Sequence, residues 1–204
     1  MLKVTFKGGD AKEFENGTSL LEMARSISEG LARTALAGQV DGTTHEMTYT
    51  PENDCTVTFL TFEDEDGRKT YRHTASHVLA QAVKRIYPNA KLAIGPAIDD
   101  GFYYDFDFET PITNDDLGKI EDEMRKIIKE DETLERFELP RADAIALMKE
   151  KNEPYKVELI EDLPEDAVIS FYKQGDFTDL CAGPHLMSTG KLKAVKLQYT
   201  AGAY

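Results

Sequence analysis

The apolar positions along this chain change period several times, and each change marks an element. Leu2, Val4 and Phe6 alternate with Lys3 and Thr5, the two-residue period of a strand with one face inward. Gly8-Gly-Asp10 supplies a hairpin turn, and Ala11 to Phe14 a return strand. From Leu20 the period lengthens. Leu20, Leu21, Met23, Ala24 and Ile27 recur at helical steps, with Ser19 as cap and Glu22 three positions on as its capping-box partner. Gly30 is the expected end of that helix. Further strands are predicted at Thr34 to Val40, around Glu46 to Tyr49 and at Cys55 to Thr61, separated by Asp41-Gly42 and Pro51-Glu-Asn-Asp54. Two strands, a helix and more strands is a β-grasp order.

Phe62 to Arg68 is a charged break that reads as a linker. Beyond it, HTASHVLAQAVKRIY places Ala75, Val78, Leu79, Ala82 and Ile86 on one face of an amphipathic helix that opens at His73. Ala93 to Asp105 is strand-like, punctuated by Gly95-Pro96 and Asp100-Gly101. Neighbours in a strand face opposite ways, so only one of Tyr103 and Tyr104 can line a given cleft. Thr113, with Asp116 three positions on, caps a second helix carrying Leu117, Ile120, Met124, Ile127 and Ile128. A third helix follows Pro140, starting near Arg141. Tyr155 to Ile160, Val168 to Tyr172 and Lys191 to Tyr199 are read as strands. The pattern gives an α+β chain: a small β-grasp unit over residues 1–61, then a larger α+β domain over 62–204 whose antiparallel or mixed sheet is covered by helices.

Charge changes this picture only through its distribution. The net charge of −14 discourages nucleic-acid binding at first sight. Residues 99–166 hold 23 acids and 9 bases, so that one segment carries the whole imbalance. The segments 73–98 and 180–204 contain Lys84, Arg85, Lys91, Lys191, Lys193 and Lys196 and no acid; they could hold phosphates, although a solvated face is the plainer reading. No apolar run reaches membrane-spanning length, and Met1 to Gly9 lacks the apolar core of a signal peptide, so a cytoplasmic protein without membrane contact is expected. Cys55 and Cys181 do not form a disulfide framework, and Cys55 at a strand start reads as a small core residue.

Candidate chemistry lies in two pairs of side chains. His73 and His77 sit at i and i+4, so both imidazoles point the same way. Cys181 and His185 share the same spacing, and Gly183-Pro184 between them implies a tight turn. The first pair alone is equally compatible with a solvated helix face. Together the two pairs have the ligand types and count of a zinc site, or of a polar catalytic pocket. If they converge beside Asp179, the imidazoles can exchange protons at neutral pH and Asp179 can anchor a cation or orient an imidazole. Lys156 is a candidate cation for developing oxyanion charge. This is the equipment for hydrolysing an activated ester. No nucleophile elbow, phosphate loop or dinucleotide fingerprint is present, so kinase and dehydrogenase readings have no support.

Five stretches carry a resemblance: Arg72-His-Thr-Ala-Ser-His77, Ala93-Ile-Gly-Pro with Gly101-Phe-Tyr-Tyr-Asp105, Pro154-Tyr-Lys156, Asp179-Leu-Cys-Ala-Gly-Pro-His185 and Thr200-Ala-Gly-Ala-Tyr204. Over essentially its whole length the chain resembles the N-terminal part of bacterial threonyl-tRNA synthetases: a TGS domain (ubiquitin-like β-grasp) followed by an editing domain, which in the family runs a little past residue 204. The resemblance implies hydrolysis of serine mischarged onto threonine tRNA. A threonine site cannot strongly reject a substrate lacking one methyl, which discriminates by only ~1–3 kcal/mol, so a second sieve is needed. It further implies His73 and Lys156 as catalytic residues and His77, Tyr104, Asp179, Cys181 and His185 as substrate-binding ones. The partner would be the serine-carrying acceptor end of tRNA(Thr). No cofactor is required on this reading, and the family's homodimer would form through domains not seen in these residues. Aminoacylation is not expected of them either. Two alternatives stay open. One is a zinc-dependent deacylase of the alanyl-editing type, with His73, His77, Cys181 and His185 as ligands; the other is a non-catalytic module that binds the tRNA acceptor end.

Overall fold

A computed structural model describes residues 1–202. The chain divides into two compact units. The first comprises Met1–Tyr71 with Gly183–Met187, and the second Arg72–Ala182 with the residues from Ser188 onward.

In the first unit, β1 (Leu2–Phe6) pairs antiparallel with β2 (Ala11–Phe14). Helix α1 (Leu20–Ile27) starts at the Ser19–Glu22 capping box, with both reciprocal hydrogen bonds formed. Gly30 does not end it. The chain breaks at Ser28, whose extended backbone closes α1 while its hydroxyl accepts from Leu31 N–H, so that Gly30 lies inside a second short helix, α2 (Glu29–Thr34). Strands β3 (Ala37–Val40), β4 (Thr43–His45) and β5 (Cys55–Leu60) complete a mixed sheet of order β2-β1-β5-β3-β4, in which β1 and β5 run parallel. The segment from Glu46 to Tyr49 is a turn rather than the expected strand, because the carbonyls of Met47 and Tyr49 accept the first amides of α1. Leu2, Val4, Phe6, Leu20, Met23, Ala24, Met47 and Val57 form the core between sheet and helix.

Helix α3 (Glu65–Ile86) crosses the division between the units. It begins eight residues before His73, inside the stretch that reads as a linker. Glu65 and Asp66 suit the positive end of a helix, and the Asp66 carboxylate accepts from Gln39 at 3.1 Å and Thr44 at 3.2 Å. From Thr74 to Val83 every residue is buried, so this part of the helix has no solvated face. Gly67 illustrates a conflict between local and tertiary preference. Alanine favours a helix interior over glycine by ~1 kcal/mol, but a Cβ at Gly67 would overlap the backbone carbonyl of Thr61. Gly67→Ala should therefore lower stability by about 1–3 kcal/mol in urea unfolding, and a variant as stable as the parent would contradict this packing.

The second unit continues from α3 through two short ribbons. Strand β6 (Lys91–Leu92) pairs with β9 (Phe106–Asp107), and β7 (Ala97–Ile98) with β8 (Gly101–Phe102). A short 3-10 turn capped by Thr113 and Asp116 leads into α4 (Leu117–Glu130), which buries Ile120, Met124 and Ile127. Then come β10 (Leu134–Glu138), α5 (Arg141–Glu150), α6 (Pro154–Glu161), β11 (Ser170–Gln174) and β12 (Phe177–Leu180), with the three strands forming an antiparallel sheet β10-β11-β12. Ala144, Met148, Ile160 and Phe171 pack the helices α5 and α6 onto this sheet. The residues from Tyr155 to Ile160 are thus helical, not a strand. Pro154 at the first helical position has the right φ and no amide to waste, so it starts a helix where alternation alone suggests a strand.

The stretch from Lys191 to Tyr199 is not a strand either. A 3-10 turn, Thr189–Lys191, is followed by irregular chain whose amides are taken by side chains: Leu197 N–H by Glu121 (2.8 Å) and Thr200 N–H by Asn114 (2.8 Å). Alternation specifies a strand only where a partner edge exists. Ala203 and Tyr204, the last two residues of the closing motif, lie outside the described residues. Several bases of the basic segments are committed to the acidic one. Lys84 pairs with Glu153 at 2.9 Å, Arg85 with Glu130 at 2.9 Å and with Glu123 and Glu132, and Lys196 with Glu121 at 3.7 Å. Lys84 and Arg85 are thus engaged by acids, while the Lys196 side chain stays 79% exposed. Among the described residues no helix is long and apolar enough to cross a membrane.

Candidate active site

The site is centred on a carboxylate that is almost fully withdrawn from water. Asp179 sits on β12, 1% exposed, opposite Tyr172 in the hairpin, so the two side chains share one face of the sheet. Three groups converge on it. Tyr104 donates its phenol to Oδ2 at 2.6 Å, Lys156 Nζ lies 3.1 Å from Oδ1, and His77 Nδ1 lies 3.3 Å from Oδ2. The lysine contact has the distance of an ion pair without the angle of a good hydrogen bond. Its ammonium also stands over the Tyr104 ring, 5.3 Å from the centroid. A buried ammonium and a buried carboxylate are tolerable here because each neutralises the other.

The imidazoles of His73 and His77 follow helical spacing, with ring centroids 5.1 Å apart and edge-to-face. His73 Nε2 is 3.4 Å from the Cys181 thiol. Burial lowers the His73 basicity, against the pull of Asp179 and with a further push from Lys156. Burial, then the proximity of His73 and of Lys156, drives His77 well below the ordinary imidazole range. Both rings are therefore neutral at pH 7, able to accept a proton or offer a lone pair. The His77 Nδ1 contact with Asp179 is likewise one of distance, 3.3 Å, without hydrogen-bond geometry. Burial and the adjacent Asp179 raise the Tyr104 phenol well above its usual range, so it remains a donor.

The fold explains why Tyr104, and not Tyr103, is the site residue. Tyr104 is 8% exposed and Tyr103 41%, and Tyr104 stacks on Phe106 at 4.8 Å. Its ring lies directly against Gly95, where any Cβ would overlap it. Ser76, one turn after His73 and next to His77, fixes that glycine: its hydroxyl is 2.8 Å from Gly95 O and 2.7 Å from His73 O. Gly95 and Ser76 lie in stretches that carry the family resemblance, but sequence reading assigns neither a role in the site. It also missed Gln174, whose amide donates to the His77 carbonyl at 3.3 Å and to Gln81 at 2.8 Å, tying β11 to α3 behind the imidazoles. Helical spacing marks Gln81 as a neighbour of His77, but nothing local marks Gln174.

Of the seven expected site residues, His73, His77, Tyr104, Lys156, Asp179 and Cys181 are brought together by these contacts. One group of donors within the second unit has ligand types of a metal site: ligand atoms of His73, His77 and Cys181 lie within 4.8 Å of one another. Two imidazoles and a thiol are borderline-soft donors of the kind zinc takes. The carboxylate behind His77 is the outer partner that a metal-bound imidazole typically has. The residues present fit such an ion.

Comparison with known proteins assigns the class first. Residues 2–61 match the TGS domain, and residues 169–202 match the threonyl and alanyl tRNA synthetase second additional domain, the editing module. The chain therefore carries a TGS β-grasp domain and an editing domain of the kind these two synthetases share. The particular relatives are threonine–tRNA ligases. Over all 204 residues the chain is 65% identical to the ligase of Acetivibrio thermocellus, 59% to that of Clostridioides difficile and 62% to that of Clostridium botulinum strain Kyoto. It spans about a third of the length of these curated relatives, 32% in each case.

Proposed function

We propose that this chain is the proofreading part of a threonine–tRNA ligase and hydrolyses seryl-tRNA(Thr), with residues 1–61 as its TGS domain and residues 62–204 as its deacylase domain. The observation that carries this reading is the Asp179 carboxylate holding Lys156, His77 and Tyr104 in one buried polar cluster beside His73 and Cys181.

In this mechanism Asp179 places the Lys156 ammonium, which orients the attacking water and meets the negative charge that develops on the ester carbonyl oxygen. His73, neutral at pH 7, takes the proton that the water loses and returns it to the leaving ribose oxygen. Tyr104, His77, Asp179, Cys181 and His185 line the amino-acid pocket. The Tyr104 phenol and the Asp179 carboxylate recognise the small polar seryl group, and the pocket excludes threonine's methyl. The partner is the acceptor end of tRNA(Thr), in the cytoplasm. These residues take no part in aminoacylation.

Deacylation of matched seryl-tRNA(Thr) and threonyl-tRNA(Thr) tests this directly. The seryl ester should be hydrolysed about 10- to 200-fold faster, since one methyl discriminates by ~1–3 kcal/mol. Equal rates, or no hydrolysis by folded protein, would overturn it. The His73, His77 and Cys181 donors favour a second reading in which these residues, with His185 as fourth ligand, would hold a zinc ion that would acidify a water or polarise the ester carbonyl. Loss of seryl hydrolysis on chelation, with zinc measured at one equivalent per chain, would select it. Retained activity after chelation would select the reading without metal.

A further inference from the structure

We propose that Glu153 is a positioning residue of this site, clamping the start of helix α6 so that Lys156, one turn further on, reaches Asp179. The proposal rests on the deacylase reading above.

Glu153 precedes Pro154 as the residue from which α6 springs. Its side chain does not cap that helix; it turns away, 4% exposed, and bridges two other elements. Oε1 meets Lys84 Nζ, near the end of α3, at 2.9 Å, and Oε2 accepts the Leu92 amide of β6 at 2.8 Å. Lys84 is itself held by the carbonyls of Pro88 at 2.9 Å and Ala90 at 2.8 Å, so the clamp is anchored on both sides. One step along α6, the Tyr155 hydroxyl donates to Asp107 on β9, the partner strand of β6, at 2.6 Å. The first turn of α6 is thus fastened at two points to a ribbon whose strands flank the Gly95 and Tyr104 segment. Glu153 is close enough for its charge to add to the elevation of the Tyr104 phenol, after burial and Asp179.

Lys156 needs such a clamp. Its stem is flexible, and in an eight-residue helix only Lys156 and Ile160 are buried, so packing along α6 fixes its depth poorly. A small tilt at the start of the helix moves the ammonium relative to Asp179. The chemistry of the clamp is also selective. Both partners are donors, an ammonium and an amide N–H, so both oxygens must accept. Glutamine offers one acceptor and sets an NH2 group against the other donor. Aspartate is one methylene too short to reach both.

Glu153→Gln should lower kcat for seryl-tRNA(Thr) by ~10-fold or more while KM stays within about twofold, the signature of a displaced reacting group. In protein labelled at the lysine ε-carbon, the NMR signal that disappears in Lys156→Arg should shift in Glu153→Gln. Lys84→Met, which keeps the aliphatic stem, should shift it the same way and serves if Glu153→Gln does not fold. Unchanged kcat, or an unmoved Lys156 signal in either folded variant, would overturn the proposal even if the melting temperature falls. If the parent chain does not hydrolyse the seryl ester, the deacylase reading fails, and the Lys156 signal alone still decides whether Glu153 positions that side chain.

Discussion

Replacing Asp179 with asparagine should destabilise the chain by about 3–5 kcal/mol, the cost of leaving a buried ammonium without its counter-charge. The substitution keeps size and shape, so little of the loss can be assigned to a cavity. Lys156 and Asp179 have side chains only 5% and 1% exposed, so water cannot take over the carboxylate's role. The amide keeps one acceptor oxygen and replaces the other with an NH2 donor, which must then face either Lys156 or the side shared by Tyr104 and His77. Seryl-tRNA(Thr) hydrolysis should fall below detection, because the lysine loses its anchor and the phenol its strongest acceptor. The decisive comparison is with the double variant Lys156→Met, Asp179→Leu. If the ion pair is a device for function more than for stability, removing both charges should recover most of the lost stability and none of the activity. Urea unfolding of the three proteins checks this. A single variant that loses less than ~1 kcal/mol would show the carboxylate to be solvated or otherwise compensated.

The second large effect should come from Phe171→Ala, at about 3–5 kcal/mol. Phe171 is fully buried on the face of β11 away from Asp179, stacked on Phe137 at 5.4 Å and packed among Ala144, Met148, Ile160 and Ile169. Truncation leaves a cavity beneath the strand whose register places Tyr172 opposite Asp179. Stability should therefore fall strongly, while the seryl hydrolysis of the fraction that remains folded, measured at low temperature, should decline only modestly. That pattern is the converse of Asp179→Leu paired with Lys156→Met, where fold is kept and chemistry lost. Equal loss of both properties in Phe171→Ala would mean that the core and the site are one cooperative element.

How much of this was legible in the sequence depends on the range of the interaction. The Ser19–Glu22 box, the Leu2 to Phe6 alternation, the Thr113–Asp116 cap and the His73/His77 spacing are local rules, each satisfied within a few residues, and the structure shows each of them. The failures share one cause. Tyr155 to Ile160 and Lys191 to Tyr199 alternate as strands should, but no sheet edge receives them; Pro154 starts a helix in one, and the side chains of Glu121 and Asn114 absorb the amides of the other. Phe62 to Arg68 is as charged as a linker, yet Asp66 finds partners on β3 and β4 and becomes the start of a helix.

The sequence by itself determined the kinds of elements, the four side chains with ligand or proton-transfer chemistry and the segments that carry them, because periodicity and caps are written within a turn or a strand pair. Only the tertiary structure decided that Tyr104 and not Tyr103 turns inward, that Lys156 rides on a helix and pairs with Asp179, and that Lys84 and Arg85 are spent on acids of the 99–166 segment. Those outcomes depend on burial and on charges brought together from some twenty-three to seventy-five residues away along the chain. Desolvation makes an unpaired charge so costly in the interior that the fold must choose a partner for each one, and that choice is not encoded in any short window of sequence.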